Sequence, residues 1–136
     1  MWDIEYYESP SGKRPVEGSI DSKDTKSKAQ IARTLDLLEQ FGIDLGMPYA
    51  RYLGDKLWEL RIRQGRNRYR IIYFLHFKQK FILLHGFSKK TSSVPITELE
   101  IAAARRTDYL ARRGKRNELE RTQKKTTGRP QFQKRI

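Results

Sequence analysis

Three strand-like runs joined by short connections constrain the fold more than any other feature of this sequence. The runs cover residues 57–63, 69–77 and 81–87, and each alternates or is densely apolar with aromatic and β-branched residues. The connections lie at 64–67 and within 77–80. Links this short join antiparallel neighbours. The sequence therefore predicts an antiparallel meander at the centre of the chain.

The remaining sequence predicts helices around this meander. Residues 2–7 alternate as a further strand, and 43–54 is expected to be a loop. Apolar residues at three- and four-residue spacing predict a helix from Lys23 to Phe41, with Asp21 and Ser22 offering its N-cap. Prolines open a short helix at 15–20 and a long helix from 95 onward. We expect an α+β fold, an antiparallel sheet with two N-terminal helices and one C-terminal helix packed on one face.

Length and composition exclude several classes of protein. A chain of 136 residues fits one domain, and the absence of cysteine excludes disulfides and thiolate metal sites. Two histidines are too few for a histidine-based zinc site, so we expect no metal and no cofactor. The N-terminus lacks the pattern of a signal peptide, and the longest apolar run is far short of a membrane span. We therefore expect a cytoplasmic protein without a membrane partner.

The charge points to a polyanionic partner. The chain has 29 Lys and Arg against 16 Asp and Glu, a net charge of +13. Such an excess favours nucleic acid through counterion release. Much of it lies at the end of the chain, where residues 111–136 hold ten Lys or Arg and two Glu. We expect a domain over 1–112 and a basic tail over 113–136, either disordered or an extension of the last helix; a merely solubilising tail is the alternative.

Strand geometry gathers arginines on one face of the meander. If 64–67 is a four-residue turn, Arg63 faces Arg68, Arg61 faces Arg70, and Glu59 shares their side of the sheet. We call these five residues the arginine face. The helices are expected to cover the other side: Trp58, Leu60, Ile62, Tyr69, Ile71 and Tyr73. His85 should lie on the arginine face, with Lys89 and Lys90 at the end of the same strand.

An arginine face of this kind is suited to phosphate. The planar guanidinium matches phosphate oxygens, and an anion would relieve the repulsion between opposed like charges. Cleaving RNA without a metal needs a base for the 2′-hydroxyl, cations at the phosphate and an acid for the leaving oxygen. Glu59 is either that base or an ion-pair partner of Arg61 or Arg70. His85 is either an acid–base group or a partly buried structural residue, and the whole face could also be simply solvated.

Four motifs in sequence resemble the phage-derived branch of HigB-type toxins, within the RelE/ParE superfamily. They are Ser11–Glu17, Leu57–Ile62, Arg68–Tyr73 and His85–Lys90. The resemblance spans about residues 2–112 and implies a RelE-like fold. It also implies a toxin of a type II toxin–antitoxin system, a ribosome-dependent mRNA endoribonuclease that inhibits translation. A helix-turn-helix, HigA-type antitoxin is the implied partner.

The resemblance also implies roles for individual residues. Arg70 matches the arginine that RelE-like toxins place on the scissile phosphate, Arg61 stands where they carry a catalytic lysine, and Lys90 where an arginine supports the leaving group. Arg63, Arg68, Lys89 and His85 are expected to bind RNA. The pattern is broken at Glu59, where RelE-like toxins have a second lysine. Their C-terminal catalytic tyrosine has no clear counterpart either, the nearest being Tyr109.

Two other functions fit the same sequence. ParE-like relatives share the scaffold but act on DNA gyrase, and for them the paired arginines would be incidental surface charge. A catalytically inactive relative that only binds RNA is the second alternative. Loss of Arg70 should disable a ribonuclease but leave a gyrase-directed toxin active.

Overall fold

A computed structural model describes residues 1–89, 91 and 93–126, with side chains of the last helix described up to Arg113. The elements in chain order are β1 (Asp3–Tyr6), α1 (Pro15–Asp21), α2 (Thr25–Phe41), a 3₁₀ turn (Gly42–Asp44), β2 (Ala50–Gly54), β3 (Leu57–Gln64), β4 (Asn67–His76), β5 (Lys80–Ser88) and α3 (Ile96–Thr126). The three central strands and the three helices confirm the predicted α+β class. Lys90 and residues 127–136 of the predicted tail lie outside the described residues.

The five strands form one sheet in the order β1-β5-β4-β3-β2. Strands β2 to β5 are antiparallel neighbours, as their short connections require. The prediction of a wholly antiparallel sheet is wrong at one edge, because β1 pairs with β5 in parallel. No short turn joins these two strands, so the connection leaves their relative direction open and tertiary packing determines it.

Helices cover both faces of the sheet rather than one. On one face, α1 and α2 pack through Val16, Ile31 and Leu38 against the strand residues that we expected helices to cover, including Leu60 and Ile71. The opposite face receives α3, whose apolar residues pack on Ile72, Phe74, Ile82 and Leu84. The expectation that all helices share one face is wrong because β4 and β5 are apolar on both sides. A sheet of that kind needs two covers.

Two local predictions also needed correction. The N-cap of α2 is Asp24, whose side chain accepts a hydrogen bond from the backbone nitrogen of Ser27 at 2.8 Å, rather than Asp21 or Ser22. The expected loop over 43–54 contains the edge strand β2, which pairs Arg51 with Glu59. This second correction matters for function because it adds an arginine beside the arginine face.

The last helix continues past the predicted domain boundary. Helix α3 runs across residue 112 to Thr126. The boundary at 112 itself stays a prediction. Over the part of the chain that the structure describes, no helix has the length and apolar character needed to cross a membrane.

Gly86 allows the close approach of β5 to a buried tyrosine. A Cβ at Gly86 would lie 2.0 Å from the hydroxyl oxygen of Tyr69. That hydroxyl lies 2.9 Å from Ser19 Oγ, to which it donates a hydrogen bond, tying the sheet to α1. Any larger side chain at position 86 must therefore displace Tyr69.

We expect Gly86→Ala to lower the free energy of unfolding by about 1–3 kcal/mol, the usual cost of overpacking a core. Urea denaturation measures the change. Gly18→Ala is the matched control, because a Cβ at this helical position meets nothing within 4 Å. It should raise stability by about 0.5–1 kcal/mol through the better helix propensity of alanine. Equal stability of the two variants would show that Tyr69 moves aside without cost.

Candidate functional site

The β3–β4 hairpin has the register predicted from its turn. Arg63 pairs with Arg68, Arg61 pairs with Arg70, and Glu59 pairs with Ile72. Directly opposed residues of antiparallel strands share a face. The hairpin therefore brings the five residues of the arginine face together on the side of the sheet opposite α1 and α2.

Glu59 is the centre of this face and is fully buried. Its Oε2 accepts a hydrogen bond from Arg70 Nη1 at 2.8 Å. Its Oε1 accepts from Arg51 Nε at 3.2 Å and lies 3.9 Å from Arg61 Nε. One carboxylate thus holds guanidinium groups from β2, β3 and β4. We call Glu59, Arg51, Arg61 and Arg70 the Glu59 cluster.

Arg70 is the most enclosed cation of the cluster, with only 1% of the residue exposed. While Nη1 binds Glu59, its Nη2 donates to the backbone carbonyl of Thr91 at 2.6 Å. Thr91 lies in the connection between β5 and α3, and its backbone covers the guanidinium. Charge-assisted hydrogen bonds on both terminal nitrogens hold the group in one orientation.

Arg61 is the more accessible member of the central pair, with a quarter of its side chain exposed. Partial burial lowers the pKa of its guanidinium, Glu59 raises it, and the neighbouring Arg70, Arg51 and Arg68 lower it further. Arginine nevertheless remains a cation in proteins. The crowding of like charges means that an added anion would be stabilised here.

A pocket of about 330 Å³, which we call the arginine pocket, opens beside these residues, at the edge where β3 extends beyond β2. All four arginines of the arginine face line it, but so do Ile62 and Tyr69 of the other face and Gln30 and Thr34 of α2. The pocket therefore lies at the open edge of the sheet and is not confined to the arginine face. The structure therefore joins four of the predicted site residues, Arg61, Arg63, Arg68 and Arg70, around one cavity. Glu59, the partner of Arg61 and Arg70, is not one of the lining residues.

The other predicted site residues lie elsewhere. Lys89 follows β5, and its backbone nitrogen donates to the carbonyl of Arg68 at 3.1 Å. It lines a second depression at the end of the hairpin. Lys90 lies outside the described residues, so its expected place beside the leaving group stays a prediction.

His85 pairs with Ile72, on the same face as Glu59 but under α3. Its Nε2 lies 2.5 Å from Glu98 Oε1, and its Nδ1 lies 3.2 Å from Arg105 Nη1. Because a guanidinium can only donate, Nδ1 must accept, which leaves the proton on Nε2 facing the carboxylate. The partly buried ring of His85 therefore links α3 to β5. This geometry corresponds to the alternative in which His85 is a structural residue and not an acid–base group.

Arg51 is the member of the Glu59 cluster that the sequence did not reveal. It lay in the expected loop over 43–54, and its contact with Glu59 exists only because β2 pairs with β3. The signal available was the Tyr52-Leu53 pair followed by Gly54-Asp55, a strand-then-turn pattern. Within the part of the chain that the structure describes, no group of three or more His, Asp or Glu is arranged to hold a metal ion.

The fold and this site define a small α+β protein with a cationic sheet face built on one buried carboxylate. The chain belongs to the family described as Phage derived protein Gp49-like (DUF891), whose family model matches residues 19–107 and so contains the whole arginine face. This is a RelE/HigB-like toxin family of toxin–antitoxin systems, and membership implies an antitoxin partner. No curated protein matches the sequence.

We expect Glu59→Gln to destabilise the protein by about 3–5 kcal/mol, because it leaves Arg70 buried without its counter-charge. Urea denaturation measures the loss. Glu8→Gln is the matched control, since Glu8 pairs with Arg14 at the surface, where both side chains are about half exposed. That change should cost under about 1 kcal/mol. A similar small cost for both variants would show that solvent, not Glu59, balances the charge of Arg70.

Proposed function

We propose that this protein is the cytoplasmic toxin of a type II toxin–antitoxin system and cuts mRNA on the ribosome without a metal ion. Membership of a toxin family supports the toxin assignment. The observation that carries the nuclease assignment is the pairing of Arg61 with Arg70 beside a cavity lined by four arginines. The proposed neutralising partner is a helix-turn-helix, HigA-type antitoxin.

In this proposal the scissile phosphate enters the arginine pocket and meets Arg61 first, because Arg61 is the more exposed of the pair. Arg70 then binds the same phosphate through Nη2, which exchanges the Thr91 carbonyl for a phosphate oxygen. Its Nη1 stays on Glu59. The guanidinium of Arg70 is therefore already oriented when the phosphate binds. Cations that are preorganised at a phosphate are a large source of transition-state stabilisation.

Glu59 acts in this scheme by positioning arginines rather than by taking a proton. Both carboxylate oxygens already face guanidinium groups, and the residue is fully buried. A base must reach the proton that it removes. As the 2′-oxygen attacks the phosphorus its proton passes to water. The bond to the 5′-oxygen breaks, and that oxygen, supported by Lys90, takes a proton from water. Arg63, Arg68 and Lys89 bind the flanking RNA.

One observation favours a second candidate, an RNA-binding relative that does not cleave. Arg70 is almost fully buried and Thr91 occupies its Nη2. If the Thr91 carbonyl does not yield to phosphate, only Arg61 and the more exposed arginines can touch RNA. A translation assay with purified ribosomes separates the two candidates, because a protein that only binds RNA produces no truncated message.

We expect Arg61→Ala to slow message cleavage by a factor on the order of 10²–10³, because it removes a cation that stabilises the transition state. Primer extension on ribosome-bound message measures the rate. Lys78→Ala is the control for lost positive charge, since Lys78 is exposed between β4 and β5 at the opposite end of the sheet. Equal rates for wild type and Arg61→Ala would contradict the proposed role.

We expect the 5′ cleavage product to end in a 2′,3′-cyclic phosphate, because the attacking group is the neighbouring 2′-hydroxyl. Cleavage should continue when EDTA is added to the isolated toxin and free metal is removed before ribosomes are supplied. Mass spectrometry of the product identifies the end group. A 3′-hydroxyl end, or activity restored only by adding metal back to the toxin, would overturn the metal-free mechanism.

A further inference from the structure

A second depression lies at the end of the sheet, next to the arginine pocket. It has a volume of about 600 Å³ and forms where the Gln64–Asn67 turn, the junction of α1 and α2, and the end of β5 meet. We call it the sheet-end groove. Its polar lining residues are Ser22, Lys23, Asp24, Ser27, Gln64, Arg66, Asn67, Arg68, Ser88, Lys89 and Thr91.

The charge of this groove is strongly one-sided. Among its described lining residues, four are cations, Lys23, Arg66, Arg68 and Lys89, and one is an acid, Asp24. Asp24 already accepts the hydrogen bond that caps α2, which lowers the pKa of its carboxyl. The cations come from three segments that are far apart in the chain, around residues 23, 66–68 and 89, so the folded structure creates the cluster and local sequence does not.

Lys23 is held in place at the rim of the groove. Its Nζ donates to Ser88 Oγ at 3.2 Å and lies 4.8 Å from the centre of the Tyr69 ring. Both partners are neutral, so the ammonium keeps its full charge available to an anion. Serine and asparagine side chains line the same groove and offer the neutral hydrogen bonds that often accompany cations at nucleic-acid backbones.

The sheet-end groove adjoins the arginine pocket. Ile62, Arg68 and Tyr69 line both depressions. An extended polyanion with one phosphate between Arg61 and Arg70 would therefore have its next phosphates directed past Arg68 toward Lys23, Arg66 and Lys89. Groups that contact only the backbone add affinity without reading sequence.

We propose that the sheet-end groove binds the sugar–phosphate backbone of the single-stranded RNA next to the scissile phosphate, with Lys23 and Arg66 as phosphate ligands. This inference rests on the proposed function for the position of the scissile phosphate. It adds two residues outside the arginine face and defines the direction in which the RNA leaves it.

The experiment measures binding of a labelled single-stranded RNA made of 2′-O-methyl nucleotides, which 2′-hydroxyl attack cannot cleave. Fluorescence anisotropy gives the affinity of the full chain at several salt concentrations. We expect Lys23→Gln/Arg66→Gln to flatten the slope of log affinity against log salt by about 1.4, because each phosphate contact to a single strand contributes about 0.7. Thermal unfolding verifies that the variant is folded, and glutamine retains most of the side-chain bulk.

Lys56→Gln/Lys78→Gln is the matched control. Both lysines are exposed and lie at the opposite end of the sheet, in the turns before β3 and before β5. The control should leave the slope unchanged. An unchanged slope in the groove variant, or an equal change in the control, would overturn the proposal.

A polyglutamate peptide tests whether the groove instead receives an acidic protein segment. If the groove variant loses affinity for the peptide but keeps its RNA affinity and salt slope, the RNA proposal is wrong. Failure of the nuclease mechanism looks different. In that case wild-type protein leaves ribosome-bound message intact, while the groove variant still lowers the salt slope for the uncleavable RNA.

Discussion

The buried carboxylate of Glu59 is the interaction on which the arginine face depends. Arg51, Arg61 and Arg70 come from three adjacent strands and would repel one another without it. An unpaired charge at this depth would cost several kcal/mol. A shift of β3 by one residue would move Glu59 and Arg61 to the opposite face and leave Arg51 and Arg70 without their carboxylate. The same contacts therefore specify the pairing of β2, β3 and β4 and assemble the cationic site.

Arg70 contributes to the stability of the fold and, in the proposed mechanism, binds the phosphate. The residue is oriented by Glu59 on one side and occupied by the Thr91 carbonyl on the other. A guanidinium held in this way loses little freedom when a phosphate replaces the carbonyl, which favours tight binding of the reacting group. In the proposed mechanism a phosphate displaces the Thr91 carbonyl, so Thr91 takes part in binding.

Some of this architecture was predictable from sequence because it is local. The Gln64–Asn67 turn determines which residues of β3 and β4 oppose each other, so the pairing of Arg61 with Arg70 followed from the connection alone. Period-two and period-3.6 patterns likewise predicted the central strands and α2. The N-cap at Asp24 was missed by a few residues, since several polar residues in that stretch could serve.

The features that sequence did not reveal depend on contacts between distant segments. The parallel pairing of β1 with β5 and the position of α3 opposite α2 are not determined by any short connection. Arg51 became part of the site only through pairing of an edge strand that has a weak sequence pattern. The burial of Glu59 and Arg70 also depends on tertiary structure, in which the backbone carbonyl of Thr91 accepts a hydrogen bond from Arg70. The residue types alone suggested a face exposed to solvent.

The place of β1 in the sheet has a consequence for how the protein emerges from the ribosome. Its partners, Lys80 to Leu83, are made long after β1 itself. Until they leave the exit tunnel, the first strand has no neighbour, and contacts of such long sequence separation form slowly. The core that supports the arginines therefore closes late in synthesis. This delay would leave time for another protein to bind the nascent chain before the cationic site is complete.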